Sequence, residues 1–261
     1  MEREYKSIRR MLSFCRRACD QYEMIEDGDR IAVGLSGGKD SMALLATLDA
    51  MRRFYPKRYE IYGLSVSMGF EGMDFSPLAE FCAEIDVPYR LVETELAHLI
   101  FDVRRESNPC AICSRMRRGI LHKAAVEAGC NKLALGHHYD DVVETFMLNL
   151  IHEGRVGSFS PVTYLDRSKI TVIRPMIYAE EKDISYLMSK NDLPIVENLC
   201  PEDEHTEREE MKQLLMSLDR KHKGVKRRIF GALQKTGIDG WHEEYISSHS
   251  NKKPDCPGDD E

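Results

Sequence analysis

An apolar strand that runs directly into a glycine loop and a helix constrains the fold of this chain most strongly. The apolar run at 31–35 predicts a short buried strand. It is followed by Ser36-Gly37-Gly38-Lys39-Asp40-Ser41 and then by a helical pattern that carries Met42 and Leu48. Glycines have no Cβ and let the backbone approach an anion, and a helix N-terminus presents free N–H groups. The stretch therefore predicts a phosphate cradle.

The loop does not match a Walker A motif. That motif requires a glycine where this chain has Val33, and a serine or threonine where it has Asp40. The pattern Ser-Gly-Gly-x-Asp-Ser instead resembles the PP-loop of ATP pyrophosphatases, which release AMP and pyrophosphate. An ordinary glycine turn between a strand and a helix is the alternative interpretation.

Strand and helix patterns alternate along the chain, which is typical of a doubly wound parallel α/β sheet. We predict five strands, at 31–35, 59–67, 89–92, 131–135 and 169–174. The expected organisation is an N-terminal helix in residues 1–28, a nucleotide-binding domain in 29–195, a C-terminal helical extension in 196–246 and a disordered tail in 247–261.

The charge balance argues against a general nucleic-acid coat protein, because 261 residues carry a formal net charge of −7. A local basic surface remains compatible with it. Residues 220–228 include six lysines or arginines, which predict either a phosphate-backbone contact or a solvated helix end. No apolar run approaches the ~20 residues of a membrane span, and the charged N-terminus lacks an apolar signal region, so a cytoplasmic location is expected.

Two closely spaced pairs stand out among the eight cysteines of the chain. Cys110 and Cys113 lie one turn apart near the start of a predicted helix at 109–128, where both thiols can face one ion and the helix dipole favours thiolates. Redox chemistry, zinc and iron–sulfur all use this spacing. Cys15 and Cys19 fall on the apolar face of a predicted helix at 7–22, and we interpret them as buried core residues.

A second polar cluster, Gly136-His137-His138-Tyr139-Asp140-Asp141, follows the fourth predicted strand. It should lie beside the glycine loop, because the carboxyl ends of parallel strands meet at one edge of the sheet. Asp140 and Asp141 can cap the following helix or hold Mg²⁺ beside phosphates. For His137 and His138, metal binding, nucleotide contact and packing all remain open.

Five motifs in this order resemble the tRNA 2-thiocytidine synthetase (TtcA) family of PP-loop ATP pyrophosphatases, over nearly the whole chain. The motifs are the Ser36–Ser41 loop, Cys110-x-x-Cys113 with the arginines after it, Leu135-Gly136-His137-His138-x-Asp140-Asp141, Ile173-Arg174-Pro175 and Asn198-Leu199-Cys200. The resemblance implies an adenine nucleotide α-hydrolase-like fold with a cluster-bearing insertion near 104–118.

The resemblance also implies a reaction. ATP adenylates the C2 oxygen of an anticodon-loop cytidine, position 32 in the family, pyrophosphate leaves, and sulfur then displaces AMP. By resemblance, Cys110, Cys113 and Cys200 hold a [4Fe–4S] cluster, which normally has four thiolate ligands. With three, one iron is left open and can carry a sulfide; Zn²⁺ is the alternative occupant.

The site residues that follow from the motifs fall into three groups. The expected catalytic residues are Asp40, Arg117, Asp140 and Asp141, with Arg117 placed by motif position to neutralise charge on the adenylate. The expected contacts of ATP and Mg²⁺ are Ser36, Gly37, Gly38, Lys39, Asp40, Ser41, Ser67, Gly136 and His137. Ser67 stands where the family usually carries an acidic residue, and an acidic run at 201–207 replaces the family's polar-to-basic one.

The expected partners are tRNA and a sulfur donor such as a cysteine desulfurase or free sulfide, with a homodimer as the assembly and no membrane. Three alternatives remain: a lysidine-type tRNA ligase, a PP-loop enzyme that thiolates another base or a small molecule, and a non-enzymatic sensor of ATP and a cluster. The three cysteines argue against the ligase, which needs no cluster.

Overall fold

The computed structural model describes residues 3–100, 109–197, 199–200 and 207–243, without the side chains of residues 109–111. The tail predicted at 247–261, most of the acidic run after Cys200, and Asn198 lie outside the described residues. Part of the insertion predicted near 104–118 lies outside them as well.

The strands form one sheet. They are β1 Asp29–Gly34, β2 Tyr59–Val66, β3 Tyr89–Val92, β4 Lys132–Ala134, β5 Val162–Leu165 and β6 Ile170–Ile173, in the order β3-β2-β1-β4-β6-β5. All neighbours are parallel except β5, which runs antiparallel to β6.

Eight α-helices surround this sheet in the described part of the chain. They are α1 Arg9–Gln21, α2 Lys39–Met51, α3 Ser76–Glu84, α4 Pro109–Glu127, α5 Tyr139–His152, α6 Glu181–Lys190, α7 Glu207–Lys221 and α8 Val225–Thr236. A short 3₁₀ turn, Ile238–Gly240, follows the last of them. No helix in the described ranges is long and apolar enough to cross a membrane.

The prediction of five parallel strands was wrong in number, because the sheet has a sixth strand, β5. This strand is only four residues long and lies at the sheet edge, where Tyr164 is exposed. It lacks a long apolar run of its own. It forms because the chain folds back before β6, which lets Val162 pair with Ile173 and Leu165 with Ile170.

Helices cover both faces of the sheet, as predicted for a doubly wound α/β fold. Successive side chains of a strand point to opposite faces. Ile31 and Val33 of β1 therefore join the larger hydrophobic core, which α1, α2 and α6 cover. Ala32 joins a second core on the opposite face, where α4 contributes Ala124 and Ala125. The sheet is thus buried on both sides.

The C-terminal helices belong to the larger core. Phe230 and Leu233 of α8 are buried in it, and so is Trp241, whose indole Nε1 donates a 3.0 Å hydrogen bond to the carbonyl oxygen of Phe159. The extension that contains α7 and α8 is therefore anchored against the sheet.

The strand order creates one crevice. From β1 the chain moves outward to β2 and β3 and then crosses to β4 on the other side of β1. Ligands of open α/β sheets bind at such a switch point, at the carboxyl ends of the strands. The loops that follow β1 and β4 lie there.

Candidate functional site

The loop after β1 has a backbone that only glycine fits at position 37. Gly37 has a φ of +88°, in the left-handed region, and a Cβ built on it would lie 2.6 Å from the Cβ of Val196. The backbone N–H of Val196 donates a 3.0 Å hydrogen bond to the carbonyl oxygen of Gly37. Val196 therefore lies directly against this loop.

Hydroxyl groups fix the shape of the loop from inside. The Ser36 Oγ accepts a 3.3 Å hydrogen bond from the backbone N–H of Gly38, and the Ser41 Oγ donates to the carbonyl oxygen of Gly38 at 2.8 Å. Gly38 is the N-cap of α2 and has no side chain to cap the first N–H groups. The start of α2 therefore keeps N–H donors for an external anion.

Gly136 brings the loop after β4 against the start of α2. A Cβ on Gly136 would lie 3.1 Å from both the Asp40 carbonyl carbon and the Ser41 backbone nitrogen. The two predicted clusters are therefore in direct contact. Ser67 lies at the same edge, directly after β2, where its hydroxyl accepts a 3.3 Å hydrogen bond from the N–H of Gly69.

His138 and Asp141 cap α5 through reciprocal hydrogen bonds. The backbone N–H of His138 donates to Asp141 Oδ2 at 2.9 Å, and that of Asp140 donates to His138 Nδ1 at 3.2 Å. Because Nδ1 accepts, the neutral ring carries its proton on Nε2. That atom lies 3.5 Å from Asp141 Oδ2 and 3.9 Å from Asp40 Oδ1, so His138 joins the two loops.

Lys39 is held between two carboxylates. Its Nζ lies 3.2 Å from Asp40 and 3.2 Å from Glu181 Oε1, and the other oxygen of Glu181 lies 2.8 Å from Lys212 Nζ. Burial alone would lower the pKa of Lys39, but the charges and hydrogen bonds of the two carboxylates outweigh it and raise the pKa. The pKa of Lys212 is raised as well, chiefly by its hydrogen bond to Glu181, so both lysines are charged at neutral pH.

Three cations from the C-terminal helices reach the carboxylates of the site. Arg208 Nη1 lies 3.2 Å from Asp141 Oδ1, and Lys226 Nζ lies 2.7 Å from Asp140 Oδ1. Lys212 contacts Glu181 as described above. The other oxygen of Asp140 accepts a 2.8 Å hydrogen bond from the backbone N–H of Glu181. Both oxygens of Asp140 and of Asp141 therefore have protein partners.

Asp40 differs from these two aspartates. Its Oδ1 accepts no hydrogen bond from any described residue, and its nearest charged neighbour is the ammonium of Lys39 at 3.2 Å. Across the described part of the chain, no three His, Cys, Asp or Glu side chains come close enough together to hold a metal ion. Mg²⁺ is commonly held by one or two carboxylates together with substrate phosphates and water. The partly exposed carboxylate of Asp40 beside the glycine loop fits that manner of binding.

Aromatic and basic side chains border the other side of the loop after β4. The ring of His137 lies 4.8 Å from that of Phe159, and the guanidinium of Arg174 lies 5.0 Å over the same phenyl ring. His137 Nδ1 is buried without a hydrogen-bond partner among the described residues, and burial holds the pKa of this imidazole well below its usual range. Burial, helped by the charge of Arg118, lowers the pKa of Arg174 to about 10. Arg117, which precedes Arg118 in α4, has an exposed side chain.

Of the predicted cluster cysteines, Cys113 packs beside the loop that follows β2, and Leu199, the residue before Cys200, lies near the same loop. Cys113 is half-buried and packs against the small hydrophobic core that includes Met68. Cys200 is also half-buried and follows Leu199, whose Cδ1 would lie 3.4 Å from a Cβ on Gly72. Neither thiol forms a disulfide. The side chain of Cys110 lies outside the described part of the chain.

Four other cysteines are structural. Cys15, Cys19, Cys82 and Cys130 are buried in the hydrophobic cores. Burial raises the pKa of each of these thiols, which disfavours the thiolate that metals and nucleophilic chemistry require. The interpretation of Cys15 and Cys19 as core residues is confirmed. Only Cys113 and Cys200, among the described thiols, combine partial exposure with the edge of the site.

The sequence pattern did not identify the residues that hold the site's charges in place. Glu181 reads as an ordinary acid in the first turn of a helix, and Lys212 as part of a charged helix. Lys226 reads as one of several cations in a basic run. No local pattern distinguishes them, because their partners lie far away in the chain.

Comparison with known proteins gives the same fold and a family. The family model of the PP-loop domain matches residues 6–218. A solved structure, the U34-tRNA thiolase NcsA from Methanococcus maripaludis with its [4Fe-4S] cluster, matches with a TM-score of 0.71 and 24% identity, over 87% of this chain and 78% of that chain. At that identity the match supports the fold.

Sequence relatives are closer. A tRNA-cytidine(32) 2-sulfurtransferase from Syntrophotalea carbinolica is 40% identical over 88% of this chain and 90% of its own length. Another from Geobacter sulfurreducens is 39% identical over 88% of this chain and 89% of its own length. The chain therefore belongs to the PP-loop family and, within it, to the family of tRNA-cytidine(32) 2-sulfurtransferases.

Proposed function

We propose that this chain is an ATP-dependent sulfurtransferase that replaces the C2 oxygen of cytidine 32 in tRNA with sulfur. Relatives of similar length carry this activity in their names. The contact of Val196 with Gly37 is the structural observation that carries the proposal. Cys200 lies four residues after Val196, a distance of about 14 Å at most along an extended chain. The parts proposed for activation and for sulfur transfer therefore lie close together.

The activating half binds ATP at the glycine loop. The free N–H groups at the start of α2 and the charge of Lys39 hold the phosphates that leave as pyrophosphate. Asp40 contributes its carboxylate to Mg²⁺. The remaining nucleotide contacts come from residues at the same edge of the sheet: Ser36, Gly37, Gly38, Ser41, Ser67, Gly136 and His137.

The proposed catalytic residues act by orienting charge. Asp140 and Asp141 position Lys226 and Arg208 beside the phosphates, because each carboxylate holds one of these cations. Arg117, exposed on α4, neutralises the negative charge that develops on the adenylate. ATP thereby turns the C2 oxygen of the base into a good leaving group, and sulfur displaces AMP.

The sulfur half consists of Cys110, Cys113 and Cys200. The donor set fits a cluster: two of these thiols are half-buried and free of disulfides, and Cys113 and the neighbour of Cys200, Leu199, pack near the loop after β2. Three thiolates would hold a [4Fe–4S] cluster, which would supply an open iron position for sulfide. The solved structure of the U34-tRNA thiolase NcsA, which has a similar fold, is described with a [4Fe-4S] cluster.

An exposed basic surface at the α7–α8 junction is the proposed contact of the tRNA backbone. It consists of Arg220, Lys221, Lys223 and Arg227, whose side chains are exposed and make no ion pair with other described residues. The neighbouring Lys226 points into the site and contacts Asp140. Phosphates bound to this basic surface would therefore lead the RNA to the mouth of the crevice.

The surrounding components of the reaction complete the proposal. The proposed sulfur donor is a cysteine desulfurase or free sulfide. The proposed location is the cytoplasm, where tRNA is found. The proposed assembly is a homodimer, which size-exclusion chromatography with light scattering tests. A monomeric mass at the working concentration would remove the homodimer from the proposal.

A reconstituted reaction tests the function. Anaerobically purified protein is incubated with ATP, Mg²⁺, sulfide and unmodified tRNA. We expect pyrophosphate release that depends on the tRNA and 2-thiocytidine in the digested RNA. The matched control is a tRNA with uridine at position 32, which should give no thiolated nucleoside. Thiolation of a different base would assign another substrate, and pyrophosphate release indifferent to RNA would contradict the tRNA proposal.

A further inference from the structure

The side chains around Lys39 form a row of alternating charge. Asp40, Lys39, Glu181 and Lys212 follow one another at distances of 3.2, 3.2 and 2.8 Å. Lys39 and Asp40 both lie at the start of α2. Glu181 is the first residue of α6, and Lys212 lies in α7. The lysine of the glycine loop thus depends on a carboxylate and a cation from elsewhere in the fold.

The row can rearrange when an anion arrives. The side chains of Lys39, Glu181 and Lys212 are 34%, 30% and 32% exposed to solvent, so each has room to change its conformation. A phosphate at the start of α2 competes with Glu181 for Lys39. When Lys39 turns to the phosphate, Glu181 keeps its bond to Lys212 and is not left as an unpaired charge, which would be costly in a half-buried position.

We propose that Glu181 is the resting counter-ion of the PP-loop lysine and that Lys212 compensates Glu181 when Lys39 moves to the terminal phosphates of a nucleoside triphosphate. Glu181 and Lys212 are positioning residues, because they act through Lys39. Together they set the affinity of the loop for polyphosphate. The inference rests on the proposed function, since it assumes that the loop binds ATP and releases pyrophosphate.

The strength of the ion pair between Glu181 and Lys39 predicts a moderate influence on polyphosphate affinity. Burial would raise the pKa of Glu181, but the hydrogen bond of Lys212 and the charge of Lys39 lower it to about 2, so the carboxylate is ionised throughout the physiological range. Half-exposed ion pairs are worth on the order of 1 kcal/mol or less. The counter-ion therefore holds Lys39 in place without preventing its release.

Binding of pyrophosphate and of ATP, measured by calorimetry on the full chain, tests the proposal. Glu181→Gln should tighten both about 3- to 10-fold, and Lys212→Met should weaken both by a similar factor. Glu180→Gln is the matched control, because it removes the same charge one residue away, where the carboxylate pairs with Lys182. It should change affinity less than about twofold.

A double-mutant cycle separates this role from a general change in charge. In the Glu181→Gln background, Lys212→Met should lose most of its effect, because Lys212 then has no carboxylate to compensate. In a Lys39→Met background, Glu181→Gln should no longer tighten binding. Lys212→Arg, which keeps the charge, should bind like the unmodified chain, and thermal melting confirms that each variant is folded.

The outcomes distinguish this inference from the proposed function. If the unmodified chain binds neither ATP nor pyrophosphate, the proposed function fails. If it binds both, but Glu181→Gln binds no more tightly than Glu180→Gln, only the counter-ion role is overturned. Strictly additive effects of Glu181→Gln and Lys212→Met would overturn it as well.

Discussion

Val196 closes over Gly37: its N–H donates to the Gly37 carbonyl oxygen at 3.0 Å, and its Cβ occupies the space into which a side chain at position 37 would project. The contact joins the first loop of the sheet to the segment that leads to Cys200. Position 37 therefore has two independent requirements, a left-handed backbone and an absent side chain. Both are met only by glycine.

Gly37→Ala should destabilise the protein by about 2–5 kcal/mol. The left-handed conformation costs an alanine about 1–2 kcal/mol, and overpacking against Val196 adds about 1–3 kcal/mol. We also expect loss of ATP binding, because relief of the clash requires the loop or the segment 191–200 to move. Urea unfolding and calorimetric titration with ATP measure the two effects.

Gly38→Ala is the matched control for stability. Gly38 has a φ of −77°, and the nearest atom to an added Cβ is the Ser36 Oγ at 3.5 Å, an ordinary contact. The expected loss is below about 1 kcal/mol. Equal destabilisation by the two substitutions would show that neither the φ nor Val196 constrains the loop.

Cys113→Ala and Cys200→Ala should each abolish iron binding and thiolation while the fold is retained, because both thiols are half-buried at the edge of the crevice. Cys130→Ala is the control: this thiol is buried in the core on the α4 side, so its removal should cost about 1–2 kcal/mol and leave the iron content unchanged. Iron and acid-labile sulfide are measured on anaerobically purified protein. Full iron content in Cys200→Ala would remove that residue from the ligand set.

Local sequence patterns predict those strands well whose apolar residues are a direct result of burial in the sheet. β1, β2 and β3 have apolar sequences because the sheet is buried on both faces, and their positions agree with the structure within about two residues. β5 could not be predicted in this way. Its four residues are held by antiparallel pairing with β6, a contact that no pattern within the segment records.

The site shows the same division. The glycine loop and the Gly136 loop were predicted to meet, and the structure places Gly136 against Asp40. Glu181 and Lys212 were not predicted, since their relation to Lys39 exists only after α6 and α7 pack beside α2. The basic run at 220–228 was treated as one surface, whereas folding turns Lys226 into the site.

Glu144 should make the stability of the protein fall as pH rises. Burial, with the charge of Asp141, raises the pKa of this carboxyl to about 7, above its ordinary value of 4.5. Between these values the unfolded chain releases the proton while the folded chain retains it, so the free energy of unfolding decreases with pH. The expected loss from this group is about 2–3 kcal/mol between pH 5 and pH 8.

Glu144→Gln isolates this contribution. The amide resembles the protonated acid, so the variant should match the unmodified chain at pH 5 and exceed its stability by about 2–3 kcal/mol at pH 8. Glu153→Gln removes a carboxylate from the exposed end of α5 and serves as the control. Urea unfolding at the two pH values provides the comparison. A constant difference across pH would contradict the raised pKa.

Substitutions at two adjacent residues can distinguish tRNA binding from the reaction with ATP. Arg227 is exposed on the basic surface, whereas the neighbouring Lys226 contacts Asp140 at 2.7 Å. Arg227→Ala should weaken tRNA binding about 2- to 5-fold and reduce its salt slope by about 1, because one phosphate contact is lost. ATP binding should not change.

Lys226→Ala should instead impair ATP-dependent pyrophosphate release, because it leaves Asp140 without its cation. Filter binding at several salt concentrations measures tRNA affinity, calorimetry measures ATP binding, and a pyrophosphate assay measures the reaction. Lys182→Ala, an exposed cation on α6 outside the basic surface, is the control and should leave the salt slope unchanged. If Arg227→Ala and Lys182→Ala have equal effects, the tRNA binds elsewhere on the molecule.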